Sequence, residues 1–364
     1  MGRYKKVTTV DVAELAGVSQ STVSMILSRN PRVNFSSDTV ERVLTAAEQL
    51  GYNNRKVYKQ PTDVSKNILV VCPGFMNPYY TMLIESVQDS CAKAGFGILT
   101  FSTLRMRDEE ERLLSMIGSM PVSGIIYTYF TPNTDIAQQL CDRKPLVIIG
   151  DKDEAIEADA VELNSIKSGM LMAEHLLELG HRKIAYVSTP LSNRQLARCR
   201  RLQGMQMQFE KHGIKDGIVV KTKEISKVEE PINMFTEYST GYDLTRELVH
   251  NDEGITAIAG LNDMFALGIM DALLDEKLRI PQDYSVIGCD NTITSRLRRI
   301  SLTTVEHYVT AKGRQAVELL LRKITAPETG DGMPPSIMRV EYEPRIVVRE
   351  STGICRKNAK GKLG

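Results

Sequence analysis

The sequence has no long hydrophobic run. Ile68 to Cys72 and Leu146 to Ile149 are among its most apolar stretches, and both are far too short to cross a bilayer, so they read as buried strands. The basic N-terminal residues are followed by Val7-Thr8-Thr9-Val10-Asp11 rather than an apolar signal core, so secretion is not expected. Cysteines at 72, 91, 141, 199, 289 and 355 stand far apart with no Cys-x-x-Cys pair. They read as reduced core thiols of a cytoplasmic protein. Histidines at 175, 181, 212, 250 and 307 include no i, i+4 pair, and no zinc spacing occurs. There is no phosphate-binding Gly-x-x-x-x-Gly-Lys-Ser/Thr and no nucleophile elbow, and Gly95-Phe96-Gly97 lacks the third glycine of a dinucleotide loop. Asp151 and Asp290 mimic a pair of catalytic carboxylates, but nothing in the sequence indicates the separation or raised pKa such a pair needs. No enzyme, metal or cofactor is expected.

What is present is an ordinary globular composition, 42% hydrophobic and 25% charged, over 364 residues. That length exceeds one comfortable core and predicts two or three domains. The net charge of +1 hides an asymmetry. Residues 1–66 carry ten Lys/Arg against six Asp/Glu, a net +4, which leaves −3 on the other 298. A small basic head on a slightly acidic body suits a head that approaches a polyanion.

The head reads as three short helices: one capped by Thr9 and carrying Val12, Leu15 and Ala16, one from Gln20 to Ser28 capped by Ser19, and one from Ser37 to Leu50. Val23, Ile26 and Leu27 form the inward face of the second, and Val40, Val43, Leu44 and Ala47 that of the third. Gly17-Val18-Ser19 supplies the turn between the first two, which is the helix-turn-helix plan. Residues 53–66 are polar and basic, a hinge linker. Beyond them strand-like segments alternate with helical ones through residues 67–350. The body is therefore expected to be a two-lobed effector-binding and dimerisation domain of two doubly wound parallel α/β subdomains. The first lobe is placed at 67–163 and 308–336 and the second at 164–306 and 337–350. Residues 351–364 read as a mobile basic tail.

The run from Val7 to Ser24, Val-Thr-Thr-Val-Asp-Val-Ala-Glu-Leu-Ala-Gly-Val-Ser-Gln-Ser-Thr-Val-Ser, resembles the opening of the lactose/galactose repressor (LacI/GalR) family. Further matches follow in the family's order. They are Glu174-His175-Leu176, Leu179 to Ala185, Asn262-Asp263-Met264, Ala266-Leu267-Gly268, Ile280-Pro281 to Asp290, and Leu302-Thr303-Thr304-Val305. The resemblance covers all but the tail. It implies a ligand-responsive transcription regulator, usually a repressor, at least dimeric, with a core similar to periplasmic sugar-binding proteins.

For the head, residues near the start of a recognition helix face base edges in the major groove, which makes Gln20, Ser21 and Ser24 the base-reading candidates. Ser19 to Ser21 read equally as a helix cap. The resemblance implies that Thr8, Ser19, Thr22, Arg32, Tyr52, Arg55, Lys56 and Lys59 also belong to the double-stranded DNA surface. Met25 stands where many members have an arginine, and it can touch a thymine methyl instead. Pro61 takes the position of the family's minor-groove leucine. Proline disfavours helix at the preceding residue, so a hinge helix of Arg55 to Gln60 is marginal and a smaller operator bend is expected.

For the body, ligands of open α/β sheets bind beyond the carboxyl ends of strands. Asp151, Asn262, Asp263 and Asp290 all follow predicted strands. Carboxylates and amides suit a polyol. The resemblance implies effector contacts for Arg201, for Tyr79 and Tyr80 after Asn77-Pro78, for Phe235, and for His307 at a lobe crossover. Asp263 reads equally as a helix cap, Tyr79 as helix-entry packing and His307 as a hinge hydrogen-bonder. The functions open at this stage are a homodimeric repressor released by a sugar or sugar derivative, and a sugar sensor that has lost operator binding.

Overall fold

The computed structural model describes residues 8–27, 35–50, 66–151, 156–191, 197–223, 236–251, 254–325 and 336–355. The chain divides into two compact units, 1–64 and 65–364.

The first unit is three helices, α1 (Thr9–Ala16), α2 (Gln20–Leu27) and α3 (Ser37–Gln49). The cap of α1 is Thr8, not Thr9. Asp11 lies three residues after Thr8, so the Thr8 hydroxyl accepts from the Asp11 N–H while the Asp11 carboxylate accepts from the Thr8 N–H, a reciprocal capping box. Gly17 ends α1 at φ 66°, a left-handed position that glycine adopts without strain. Val12, Ala13, Ala16, Val23, Ile26, Val43, Ala46 and Ala47 form its core. Leu15 and Leu44, expected inward, are 51% and 52% exposed. The small Ala13 and Ala46 take the inner places, where short helices pack closely.

The second unit begins with β1 (Asn67–Cys72), α4 (Pro78–Lys93), β2 (Gly97–Ser102), α5 (Arg107–Met116), β3 (Gly124–Tyr127), α6 (Thr134–Arg143), β4 (Leu146–Asp151) and β5 (Asp159–Leu163). The chain then crosses to a second lobe with α7 (Ser165–Glu178), β6 (Ile184–Ser188), α8 (Ala197–Lys211), β7 (Ile218–Thr222), α9 (Thr236–His250), β8 (Ala257–Gly260), α10 (Asp263–Asp275), β9 (Ser285–Ile287) and β10 (Thr304–Glu306). It returns through α11 (Val309–Thr325) and β11 (Arg339–Glu341), and crosses once more to β12 (Arg345–Val347). Strand orders are β11-β5-β4-β3-β1-β2 and β7-β6-β8-β9, parallel throughout, with β10 and β12 a separate antiparallel pair. Apolar clusters cover both faces of each main sheet, as parallel sheets require.

Two boundaries differ from expectation. Residues 337–350 do not all join the second lobe, because β11 pairs with β5 at the edge of the first sheet. The strand β5 was not legible, since Asp159 and Glu162 interrupt its apolar pattern. Both acids are buried, Asp159 accepting from the Met338 N–H and Glu162 from Arg339. Nor do residues 351–355 behave as a tail. Ser351, Thr352 and Cys355 are buried, and the Ser351 hydroxyl donates to the Val286 carbonyl and accepts from the Thr303 N–H. Residues 356–364 lie outside the described residues. Among the described residues no helix is long and apolar enough to cross a membrane.

His181 fastens that final segment. Its ring nitrogens lie 2.8 Å from Thr256 Oγ1, 3.0 Å from Ser285 Oγ and 3.1 Å from the Gly353 carbonyl oxygen. Burial pushes its pKa down to about 4 from the usual 6.5. Between those values the unfolded chain binds more protons than the folded one, so stability falls as pH drops through the window. This histidine alone is expected to cost about 2 kcal/mol between pH 7 and pH 5. Urea unfolding at both pH values should show a smaller acid loss in His181→Gln than in the wild type; equal losses would contradict the assignment.

Candidate functional site

The carboxyl ends of strands from both lobes face one cavity of about 480 Å³. Convergence of strand ends makes this the expected ligand position in open α/β sheets. Of the sequence-predicted residues, Tyr79, Tyr80, Asp151, Arg201, Asn262, Asp290 and His307 line it. Phe235 lies outside the described residues.

Arg201 is placed by the packing of α8 on α7. The two helices cross at Gly169 and Gly204, where a Cβ at Gly169 would overlap the Arg201 carbonyl and one at Gly204 the Ile166 carbonyl. No larger residue permits that approach. Arg201 is 5% exposed, and its Nη1 donates to the Leu261 carbonyl. Its Nε is buried with no hydrogen-bond partner among the described residues. Burial opposes its charge, but Cys289, Tyr186, Asp290 and Asp151 act against that and hold its pKa above the usual arginine value.

Asp290 follows β9 at φ 127°, a conformation rare outside glycine, and its carboxyl turns toward the cavity. Burial, then the neighbouring Asp263, pushes its pKa well above the carboxylate range, while Arg201 and Lys312 pull the other way. Asp151, at the end of β4, accepts from the Ser165 N–H and lies 3.5 Å from Arg200 Nη1. On the first lobe the Tyr79 hydroxyl is buried without a hydrogen-bond partner among the described residues. Its ring meets Tyr80 edge-on, and the Tyr80 hydroxyl accepts from Arg105.

His307 Nε2 lies 3.0 Å from Cys289 Sγ and 3.7 Å from Asp290 Oδ1. Burial, then Lys312 and Arg201, holds the imidazole pKa well below 6.5, so the ring is neutral. Cys289, Asp290 and His307 are the side chains that could hold a metal ion among the described residues, with donor atoms within 4.8 Å of one another. The cationic Arg201 and the buried Lys312 act on both Cys289 and Asp290, which opposes a dication there. Thiol and carboxylate also approach the same ring nitrogen, so the trio is no nucleophile relay, which needs one partner on each nitrogen.

Asp263 departs from its expected place. It lies beneath the cavity wall, accepting from the Thr292 N–H at 2.7 Å, the Thr292 hydroxyl at 2.9 Å and the Thr304 hydroxyl at 2.6 Å. The cap of α10 is Asn262, whose Oδ1 accepts from the Phe265 N–H. Sequence reasoning missed Asn77, Arg105, Glu237 and Lys312. Arg198 also lines the cavity, while its Nε donates to the Pro190 carbonyl. Only Asn77-Pro78 carried a signal, the helix-start pairing of an N-cap asparagine with proline at N1.

In the head, Ser19 caps α2 by accepting from the Thr22 N–H, and its hydroxyl lies 2.7 Å from Ser21 Oγ and 2.8 Å from Thr22 Oγ1. Gln20 donates to the Thr9 hydroxyl, bracing α2 against α1. Thr8, Gln20, Ser21 and Ser24 are exposed and Met25 half-buried. Arg32, Tyr52, Arg55, Lys56, Lys59 and Pro61, and with them the expected hinge, lie outside the described residues.

A buried hydroxyl without a partner adds nothing to the fold by hydrogen bonding, so Tyr79→Phe should leave the unfolding free energy within about 0.5 kcal/mol of the wild type. Asp263→Ala, which strands two threonine hydroxyls and an N–H, should cost about 2–4 kcal/mol. Urea unfolding of the ligand-free chain measures both; a reversed order would contradict these placements.

Comparison with known proteins agrees with this architecture. Residues 8–54 match the bacterial regulatory proteins of the lacI family, and residues 173–352 match the periplasmic binding protein-like domain. The transcriptional repressor PurR of Haemophilus influenzae is 29% identical over 348 residues, covering 94% of this chain and 98% of the relative. The PurR repressor of Mannheimia succiniciproducens is 27% identical over 352 residues, with the same coverage. A LacI-family regulator from Enterococcus faecium, solved with bound ribose, superposes with a TM-score of 0.67 at 26% identity, covering 79% of this chain and 99% of that one. None of these relatives is an enzyme. The chain thus carries a lacI-family helix-turn-helix domain and a periplasmic-binding-protein-like domain, the two-part plan of LacI-family transcription regulators.

Proposed function

We propose that this regulator is a cytoplasmic homodimeric repressor whose two heads read the half-sites of a near-palindromic operator and whose cavity takes a sugar or sugar derivative that releases it. The observation that carries the cavity's role is the pair of buried polar atoms in its wall, Tyr79 Oη and Arg201 Nε, that have no hydrogen-bond partner among the described residues. Buried polar groups are normally satisfied, so a ligand oxygen is the missing partner. Asp151, Asp290 and Glu237 can accept from several hydroxyls while Arg201 donates in a planar fork, a set that suits a many-hydroxyl ligand. The ribose in the E. faecium protein is in keeping with this.

Purine is the second reading, favoured by the PurR relatives. A flat base would use Tyr80 and Phe130, which also line the cavity, as stacking faces.

In either case the mechanism is linkage. The effector favours one arrangement of the lobes, which sets the heads in or out of register with their half-sites. Gln20, Ser21 and Ser24 read base edges, with Met25 against a thymine methyl.

Fluorescence anisotropy with labelled DNA from upstream of its own gene, at fixed salt, tests this against a panel of sugars, sugar acids and purines. A sugar is expected to weaken operator binding by a factor of about 5 to 150. Asp290→Ala should keep operator binding and lose the response. Release by purines alone would replace the sugar reading, and release by nothing in the panel would remove both.

A further inference from the structure

Asn77 lies at the start of α4 in the first lobe, and Asn262 at the start of α10 in the second. Each asparagine is fixed by its own helix. The Asn77 Oδ1 accepts from the Tyr79 N–H at 2.9 Å, and the Asn262 Oδ1 from the Phe265 N–H at 3.0 Å. With each oxygen committed to a helix end, each Nδ2 must point the other way. Both point at one atom. Glu237 Oε2 accepts from Asn77 Nδ2 at 2.7 Å and from Asn262 Nδ2 at 3.1 Å. Glu237 itself stands in the first turn of α9, so its carboxylate is drawn to the N-terminal ends of three helices from both lobes.

We infer that Glu237 is a positioning residue for the effector site: by joining the cap of α4 to the cap of α10 across the cleft, it holds the lobes together and fixes the cavity. All three residues line the cavity. Asn77 sits two residues before Tyr79 and accepts from its N–H, so the same bridge sets where the Tyr79 side chain faces. The hydrogen bonds are charge-assisted and partly buried, hence stronger than exposed neutral ones. This inference does not depend on which effector the cavity takes.

Polarity reversal tests it. Asn77→Asp keeps a good helix cap but sets a carboxylate against Glu237. Adding Glu237→Gln supplies one amide N–H for the introduced carboxylate and one carbonyl for Asn262, which rebuilds the bridge with donor and acceptor exchanged. The readout is hydrogen–deuterium exchange of the ligand-free full chain in segments 73–83 and 261–268. Asn77→Asp is expected to speed exchange on both sides of the cleft by about tenfold or more, and the double variant to return it close to wild type. Circular dichroism confirms that both variants fold. Unchanged exchange in Asn77→Asp would overturn the inference, as would a double variant that exchanges as fast as the single one. A cap defect alone would speed only the 73–83 segment and would not be rescued, which also overturns it.

Discussion

Buried charge at the floor of one cleft is the constraint on which the rest of the molecule depends. Arg201, Asp263, Asp290 and Lys312 are all withdrawn from water. Unpaired, each would be costly, so each is held by its neighbours' charge or by fixed hydrogen bonds. Burial lowers the Lys312 pKa to about 7, with Asp290 the largest influence in the opposite direction. Lys312 comes from α11, Arg201 from α8 and Asp290 from the end of β9, so charge balance at this point requires both lobes to be correctly assembled. The chain passes between the lobes three times beside it, at 163–165, 306–309 and 341–345. A cavity at such a junction feels any change in lobe arrangement directly.

Much of this was legible because strand ends and helix starts leave strong local marks. Apolar runs followed by a polar residue located β4 with Asp151 and β8 with Asn262, and family resemblance added Arg201, Tyr79, Tyr80 and His307. Where reading failed, tertiary context had overridden local pattern. The strand β5 carries two acids that only Met338 and Arg339, far along the chain, make tolerable. Lys312 sits on the buried face of α11 with Val309, Ala316 and Val317, where an apolar residue is the usual occupant, and Glu237 is an ordinary first-turn acid until two asparagines from elsewhere meet it. Asn262 lines the cavity and also takes the cap of α10, while Asp263 fills neither of the roles expected of it. Either residue type can cap a helix, and only the threonines opposite Asp263 decide between them.

The head shows the same division. The Gly17 turn and the Ser19 cap were legible from short-range chemistry, whereas the reciprocal Thr8–Asp11 capping box was missed and the cap of α1 was placed one residue late, at Thr9. Which apolar residues face inward was not legible, because Leu15 and Leu44 yield the core to Ala13 and Ala46 where three short helices cross. Gln20, braced on Thr9, joins the two helices of the motif, so the orientation of α2 and the placement of its exposed polar residues have one origin.

The central claim is that occupancy of the cavity and occupancy of the operator are thermodynamically coupled. Calorimetric titration of the releasing compound into the full chain, with and without saturating operator duplex, tests it most directly. Reciprocity requires the operator to raise the compound's Kd by the same factor by which the compound raises the operator's Kd. Equal factors are the predicted result; a compound Kd that does not change when the operator is bound would contradict the account.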